Sequence, residues 1–202
     1  MEKQKLYLFF DTETTGLPKD FNLDFYEKAD NWPHMVQLSW IMTDSEGQVL
    51  STNNFIIKPN GFLIPTKATA LHGISNDYAT KHGIELGMVL AKFMSDIDMV
   101  DEVFAHNIAF DMNVVCSELY GMKKRTMYKE LWGKKKRCTM QESTEFCALE
   151  GRSDLGGYKY PKLQELYTKL FGDEFENAHN ALADVTATAK CYFQLKKIGV
   201  ME

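Results

Sequence analysis

The chain lacks the features that would divide, anchor or cross-link it. Its four cysteines form no CxxC pair, which argues against a zinc cage or a disulfide framework and favours free thiols in a reducing cytoplasm. No apolar run approaches the roughly 20 residues of a membrane span, and the N-terminal run MEKQKLYLFFD is too short for a signal peptide. No Pro- or Ser-rich linker interrupts the sequence. We therefore expect one cytoplasmic domain, residues 1–202, with no membrane contact.

Negative charge is in excess, but it is unevenly distributed. The net charge of −5 argues by itself against a polyanionic partner, yet eight basic residues and the single acid Glu130 lie between 122 and 138. That segment carries +7, so the remainder carries −12. Because Tyr128 and Trp132 are interleaved with the charges, two interpretations stay open: a surface that tracks phosphates and stacks bases, or a solvated loop. The basic residues are Lys123, Lys124, Arg125, Lys129, Lys134, Lys135, Lys136 and Arg137.

Hydrophobic periodicity predicts an α/β domain. Apolar runs and apolar–polar alternation predict strands, whereas apolar residues at 3.6-residue spacing predict helices. The second and third predicted strands flank the turn SEGQ and should form an antiparallel hairpin. A helix at 161–172 would have Pro161 in its first turn and Gly172 after its end. The order suggests a mixed sheet with packed helices. Predicted strands are 5–11, 35–44, 49–59, 102–106 and, most weakly signalled, 136–140; further helices are 84–97, one beginning at 107, and 180–196.

The first strand ends in DTETTGL, which contains two carboxylates. Side chains alternate along a strand, so Asp11 and Glu13 project from the same face. Two carboxylates aimed at one point repel, and burial would keep one protonated unless a cation such as Mg²⁺ is bound. An isolated Asp-x-Glu sequence is more often a pair of exposed side chains without a function. A metal site at Asp11 and Glu13 therefore needs support from other parts of the chain.

Two segments share the pattern His-Asn-x-x-x-Asp, namely AHNIAFD at 105–111 and AHNALADV at 178–185. Asparagine is a favoured N-cap. If Asn107 and Asn180 cap two helices, the aspartates five positions after each histidine lie just past the first turns. Residues five apart on a helix are about 140° separated, so each histidine approaches its aspartate best from the loop before the cap. Spacing alone does not choose between the two histidines.

Together the four carboxylates would form a strongly self-repelling cluster. Two Mg²⁺ ions about 3.5–4 Å apart would convert such a cluster into a clamp for phosphoryl displacement, one ion activating water and the other neutralising the leaving oxygen. A nearby histidine is the natural general base, because its ordinary pKa lies close to neutral pH.

The phrases FDTETTGL, AHNIAFD and HNALADV resemble the three motifs of the DEDDh, or DnaQ-like, exonucleases. This group includes the epsilon subunit of DNA polymerase III, RNase T, oligoribonuclease and the TREX exonucleases. The resemblance extends from Leu6 to about Tyr192. It implies an RNase H-like fold, with a mixed, mainly five-stranded sheet flanked by helices. It also implies a 3′→5′ exonuclease that releases nucleoside monophosphates.

The resemblance also implies roles for individual residues. His179 would be the general base, and two divalent ions, Mg²⁺ with Mn²⁺ as a substitute, would be held by Asp11, Glu13, Asp111 and Asp184. Expected substrate contacts are Thr14, Thr15, Leu17, His72, His106, Asn107 and Phe110. For several of these residues a purely structural role stays open. Thr14 and Leu17 could cap the end of the strand, and His72 could stabilise a turn. His106 could make only local hydrogen bonds, and Phe110 could belong to the core.

Two segments depart from the family pattern, the long connection 18–33 and the basic segment 122–138, and both bear on substrate preference.

The expected substrate is the 3′ end of a single strand, with DNA favoured, and a DNA polymerase is a candidate partner. The runner-up is a 3′→5′ exoribonuclease or oligoribonuclease. A catalytically idle nucleic-acid-binding module is the third hypothesis, which the presence of all four carboxylates and the histidine disfavours.

Overall fold

Five strands form one mixed sheet in the order β3-β2-β1-β4-β5. The computed structural model describes residues 4–28, 30–151 and 157–202, so position 29 of the 18–33 connection lies outside it. β2 is antiparallel to β1 and β3, whereas β4 runs parallel to β1 and β5. The hairpin and the fifth strand are therefore confirmed. The strands are β1 Leu6–Thr14, β2 Met35–Asp44, β3 Val49–Ile56, β4 Glu102–Ala105 and β5 Lys135–Cys138.

Helices occupy most of the remaining described residues. The helices predicted around 84–97, 107, 161–172 and 180–196 are present, but the third begins at Leu163, so the prediction that Pro161 lies in its first turn is wrong. The helices are α1 Thr66–His72, α2 Asn76–His82, α3 Leu86–Ile97, α4 Ile108–Gly121, α5 Arg125–Gly133, α6 Thr139–Glu142, α7 Thr144–Cys147, α8 Leu163–Phe171 and α9 Ala181–Lys197.

Both faces of the sheet are covered, and the alternation of β1 decides which residues meet which helices. Leu8 and Phe10 join the core that contains α3 and α4, whereas Tyr7 and Phe9 join the core that contains α8 and α9. Continuing the alternation places Asp11 and Glu13 on the α9 side, with Thr12 on the α4 side. The end of β1 can therefore face the first turns of both helices.

The four cysteines, Cys116, Cys138, Cys147 and Cys191, are buried free thiols. Burial raises the pKa of Cys116 and Cys191 to about 12, so neither is a reactive thiolate at neutral pH. Across the ranges that the structure describes, no helix combines the length and the apolarity that a membrane crossing requires.

Candidate active site

Three carboxylates converge where β1 ends. Asp11 and Glu13 from the strand and Asp184 from α9 each offer one oxygen, and these oxygens lie within 4.8 Å of one another. Glu13 is buried, and Asp11 and Asp184 are half-buried. The strand alternation that brings Tyr7 and Phe9 against α9 also brings the two strand carboxylates under the start of that helix. The predicted pairing of Asp11 with Glu13 on one face agrees with this geometry.

Asn180 fixes where α9 begins. Its side-chain oxygen accepts hydrogen bonds from the backbone N–H of Leu182 at 3.1 Å and of Ala183 at 3.4 Å, which confirms it as the N-cap. Asp184 then lies in the first turn, and its Oδ2 accepts a bond from the backbone N–H of His179 at 3.1 Å. His179 therefore stands in the loop before the cap, with a left-handed φ of 67° and an exposed side chain.

Asp111 approaches the same region from α4 but is held differently. Its Oδ1 accepts hydrogen bonds from the backbone N–H of Thr12 at 3.0 Å and from the Thr12 hydroxyl at 2.7 Å. It is not one of the three carboxylates whose oxygens converge within 4.8 Å, although it is close enough for its charge to raise the pKa of Asp11. The four predicted carboxylates thus share one region, three in a tight group and the fourth tethered to β1.

Burial and mutual repulsion hold protons on this cluster when no cation is present. The pKa of Asp11 is well above its ordinary value, mainly because of burial and then because of the charges on Asp111, Asp184 and Glu13. Burial, followed by the charges on Asp184 and Asp111, raises the pKa of Glu13 to about 8. Burial likewise raises the pKa of Asp111 to about 7, despite its bonds from Thr12, and that of Asp184 to about 6. An all-oxygen donor set of this charge fits a hard divalent cation, which would replace the protons.

The first histidine of the repeated pattern is not directed at its aspartate. The His106 ring makes two hydrogen-bond contacts, Nδ1 with the Thr139 hydroxyl at 3.0 Å and Nε2 with the Pro161 carbonyl at 2.9 Å. Burial lowers its pKa to about 4. The His106 ring is therefore held by Thr139 and Pro161 and makes no hydrogen bond to Asp111 among the described residues. Because both ring nitrogens have protein partners, the structure favours local hydrogen bonding over substrate contact for His106.

Asn107 also departs from the prediction. It stands directly before α4, but its φ of 70° is left-handed and its side chain makes no capping hydrogen bond. The prediction that Asn107 caps the helix as Asn180 does is wrong. Asparagine tolerates this left-handed conformation better than most residues because its short polar side chain can bond locally.

The residues that follow Glu13 have local partners. The Thr14 hydroxyl donates to the Gly16 carbonyl at 2.7 Å, and the Thr15 hydroxyl accepts from the His34 backbone N–H at 3.1 Å. Leu17 is 72% exposed, so its side chain is free to contact a ligand. The two threonines therefore shape the strand end, while Leu17 has the exposure that a base-contacting residue needs.

The remaining predicted contacts, Phe110 and His72, are more enclosed. Phe110 is half-buried and packs against Trp32, with ring centroids 5.9 Å apart. His72 is buried, and its Nδ1 accepts from the Ile74 N–H at 3.1 Å. Its Nε2 makes no hydrogen bond of good geometry among the described residues, although the Thr14 backbone lies close enough to raise the pKa of the ring against the lowering effect of burial. That unsatisfied nitrogen leaves His72 a candidate for a ligand contact.

An open cavity of about 890 Å³ lies between the end of α1, the loop before α9 and the first turns of α9. His72 and Leu71 line one side, and His179, Asn180 and Ala183 line the other. His179, whose backbone N–H donates to Asp184, therefore lines a space large enough for a nucleotide.

Two residues that support the site were not identified from the sequence. Thr12 orients Asp111, and Gln37, which pairs with Glu13 across β1 and β2, accepts a hydrogen bond from the Ala181 N–H at 3.3 Å. Gln37 is buried. A polar residue inside the apolar run MVQLSW was the available signal for Gln37, whereas nothing in the local sequence distinguishes Thr12 from an ordinary strand residue.

The sheet order, the helices on both faces and the carboxylate group at the end of the first strand define an RNase H-like nuclease fold. The RNase_T family model, described as "Exonuclease", matches residues 8–192. The chain therefore belongs to this family of DnaQ-like 3′→5′ exonucleases, which implies dependence on divalent metal ions.

Individual relatives agree with the family assignment. The chain is 28% identical over 197 residues to the uncharacterized exonuclease CP81 of Escherichia phage 186, covering 95% of this chain and 89% of that protein. It also resembles E. coli Exonuclease I in complex with a dT13 oligonucleotide (TM-score 0.73, 26% identity) and with a dA16 oligonucleotide (TM-score 0.72, 25% identity). Each comparison covers 96% of this chain but only 41% of Exonuclease I.

Proposed function

We propose that this protein is a metal-dependent 3′→5′ exonuclease that shortens single-stranded DNA and releases nucleoside 5′-monophosphates. The observation that carries the proposal is the convergence of oxygens from Asp11, Glu13 and Asp184 within 4.8 Å, with the backbone N–H of His179 donating to Asp184. The Exonuclease I complexes with dT13 and dA16 support single-stranded DNA as the substrate, because both ligands are DNA and neither homopolymer can form Watson–Crick pairs with itself.

Asp11, Glu13 and Asp184 would hold the divalent ions, and Asp111, oriented by Thr12, would complete the set. Two bound Mg²⁺ ions, for which Mn²⁺ would substitute, would activate the attacking water and neutralise the charge on the leaving oxygen. The same neutralisation would offset the burial and the repulsion from Asp184 and Asp111, which together raise the pKa of Glu13 to about 8 in the ion-free protein.

His179 would act as the general base at its imidazole nitrogen. It would accept a proton from the water as the water oxygen bonds to the phosphorus of the terminal nucleotide. The bond between that phosphorus and the 3′-oxygen of the preceding nucleotide would break, and the released oxygen would take a proton from solvent water to leave a 3′-hydroxyl on the shortened strand. The Asn180 cap and the bond from the His179 N–H to Asp184 fix the backbone that carries the imidazole.

The test compares the wild type with Asp184→Asn on 5′-labelled single-stranded DNA and RNA of matched sequence, with Mg²⁺, Mn²⁺ or EDTA. Asp98→Asn is the matched control, because Asp98 is an exposed acid at the far end of α3. We expect a ladder shortening from the 3′ end in the wild type and the control, faster on DNA, and none in Asp184→Asn or in EDTA. A faster RNA ladder would identify an exoribonuclease, and undiminished Asp184→Asn activity would refute the assignment.

Metal binding can be tested without turnover. Mg²⁺ should raise the melting temperature of the wild type and of Asp98→Asn, since a ligand that binds only the folded state stabilises it. The shift should be much smaller in Asp184→Asn, which removes one of the three converging carboxylates. Equal shifts in all three proteins would place the ion elsewhere.

A further inference from the structure

The two segments that depart from the family pattern lie against each other. Phe25, in the 18–33 connection, has its ring centroid 6.0 Å from that of Tyr120, 5.3 Å from Tyr128 and 5.2 Å from Trp132. Its backbone N–H also donates to the Asn113 Oδ1 of α4 at 2.9 Å. The connection after β1 is therefore fastened to α4 and α5, and α5 lies within the basic segment 122–138.

The basic segment divides into two parts with different surroundings. In the C-terminal part, Lys135 pairs with Glu102 at 2.9 Å and Arg137 with Glu142 at 2.6 Å. Trp132 is half-buried in the core, and Lys136 lies over its ring at 4.7 Å. Charges that are already paired, and a tryptophan that is already packed, are poorly suited to bind a strand.

The N-terminal part is unpaired. Within the ranges that the structure describes, none of its four basic side chains forms a salt bridge or a side-chain hydrogen bond, and all four residues are exposed. Among the described residues, no acidic partner therefore offsets their attraction for an anion. These residues are Lys123, Lys124, Arg125 and Lys129.

An open pocket of about 670 Å³ lies at the turn between α4 and α5. Tyr120 and Tyr128 line it, with ring centroids 5.7 Å apart, and Lys123 and Arg125 stand at its edge. Tyr120 is 40% exposed. Aromatic faces that can stack a base, beside cations that can contact its phosphate, are the elements of single-strand recognition.

Acidic side chains that neighbour Phe25 in the chain favour one orientation of the strand. Asp24 accepts from the Tyr26 hydroxyl at 3.1 Å, and Glu27 accepts from the Asp24 backbone N–H at 2.6 Å. These carboxylates belong to the 18–33 connection and would repel phosphates. The phosphates would therefore face α5 and its unpaired cations.

We propose that this pocket, which we term the α4–α5 pocket, binds one nucleotide of the single strand upstream of the bond being cleaved. The inference rests on the proposed function for its substrate class. Tyr120 follows Asp111 by nine residues on α4, a rise of about 13–14 Å. A stacked strand advances about 3.4 Å per nucleotide, so the pocket would receive roughly the fourth nucleotide from the active site. Longer strands thereby gain a contact that very short ones lack.

Lys123 offers a sharp test because of its backbone. It follows the end of α4 with a left-handed φ of 58°, a conformation that glycine adopts without steric cost and lysine does not. Lys123→Gly should therefore leave the melting temperature unchanged or raise it while weakening strand binding. If Lys123 had only a structural role, its replacement by glycine would not weaken strand binding while leaving the melting temperature unchanged or higher.

The experiment measures binding of fluorescent oligothymidylates of two to twelve nucleotides by anisotropy in EDTA, so no turnover is needed. Wild-type affinity should step upward between about four and six nucleotides. That step should be lost in Lys123→Gly/Arg125→Ala, and affinity for the twelve-mer should fall about tenfold in Tyr120→Ala. Lys81→Ala, an exposed cation on α2, is the matched control and should keep the step.

The outcomes separate the two proposals. A step that persists in Lys123→Gly/Arg125→Ala, or a loss that is equal for dimer and twelve-mer, would overturn the α4–α5 pocket whatever the enzyme cleaves. Binding with the expected step but no metal-dependent shortening would support the pocket and refute the exonuclease proposal. Wild-type affinity that does not increase with length would also overturn the pocket, and would point to a partner other than a nucleic acid.

Discussion

The segments 106–111 and 179–184 share the pattern His-Asn-x-x-x-Asp, yet the structure uses them in different ways. In the second segment the asparagine side chain caps a helix, the histidine is exposed, and its N–H donates to Asp184. In the first segment the asparagine is left-handed without a capping bond, and the histidine ring contacts Thr139 and Pro161. Only the aspartates have similar positions, each in the first turn of a helix beside β1.

The difference comes from what precedes each histidine. His106 follows the buried strand β4, so its ring is surrounded by the start of α6 and the chain before α8. His179 follows an exposed loop and lines the open cavity. A sequence pattern fixes which groups are near a helix start, but the neighbouring elements decide which of them can reach a substrate.

The largest effects are expected when each of the two histidines is replaced by alanine. Removing a general base lowers the rate by about 10²–10⁴-fold, so His179→Ala should lose most of its kcat with its stability preserved. His106→Ala should keep its activity within about tenfold but lose roughly 1–3 kcal/mol of stability, because buried hydrogen-bond partners are left unsatisfied. Rates on labelled DNA and urea unfolding of both variants give the comparison. A larger rate loss in His106→Ala would reverse the assignment.

Much of the fold could be predicted from the sequence because its strands carry strong apolar signals. β1 begins with the apolar run LYLFF, β2 alternates around Val36, Leu38, Trp40 and Met42, and Gly47 marks the turn between β2 and β3. α5 could not be predicted, because its many charged residues hide the few apolar side chains that pack, such as Leu131. The short helices α1 and α2 give equally weak periodic signals.

For the site, the carboxylates were identifiable from their motifs, but their arrangement was not. That Asp111 is held by Thr12, and that His106 is turned toward Pro161, depend on contacts between residues far apart in the chain. The family resemblance selected His179, whereas spacing treated the two histidines alike.

A second test uses acid to expose the burial of His106. Burial lowers its pKa to about 4 in the folded protein, whereas an unfolded histidine has a pKa near 6.5. The folded state therefore binds fewer protons than the unfolded state between these values, and stability present above pH 6.5 is lost as the pH falls toward 4. The loss should total about 3 kcal/mol.

The buried carboxylates complicate this measurement, because their raised pKa values act in the opposite direction: the ion-free fold gains stability as the pH falls. The informative quantity is therefore the difference in unfolding free energy between the wild type and His106→Asn, measured in EDTA from pH 7 to pH 4.5. That difference should shrink steadily as the pH falls, since the variant lacks the titrating ring. A difference independent of pH would mean that His106 is not held neutral by burial.

The smallest expected changes in stability distinguish Asn180 from Asn107. At position 180 the side chain caps a helix from an extended backbone with φ −120°, so Asn180→Ser should be nearly neutral and Asn180→Ala should cost about 1 kcal/mol. At position 107 the backbone is left-handed, so Asn107→Gly should be nearly neutral, while Asn107→Ser should cost about 1 kcal/mol through steric strain. Urea midpoints of the four variants, at constant m-value, distinguish the two patterns. If serine were equally harmless at both positions, the left-handed start of α4 would be excluded, and with it the contrast between the two segments at this residue.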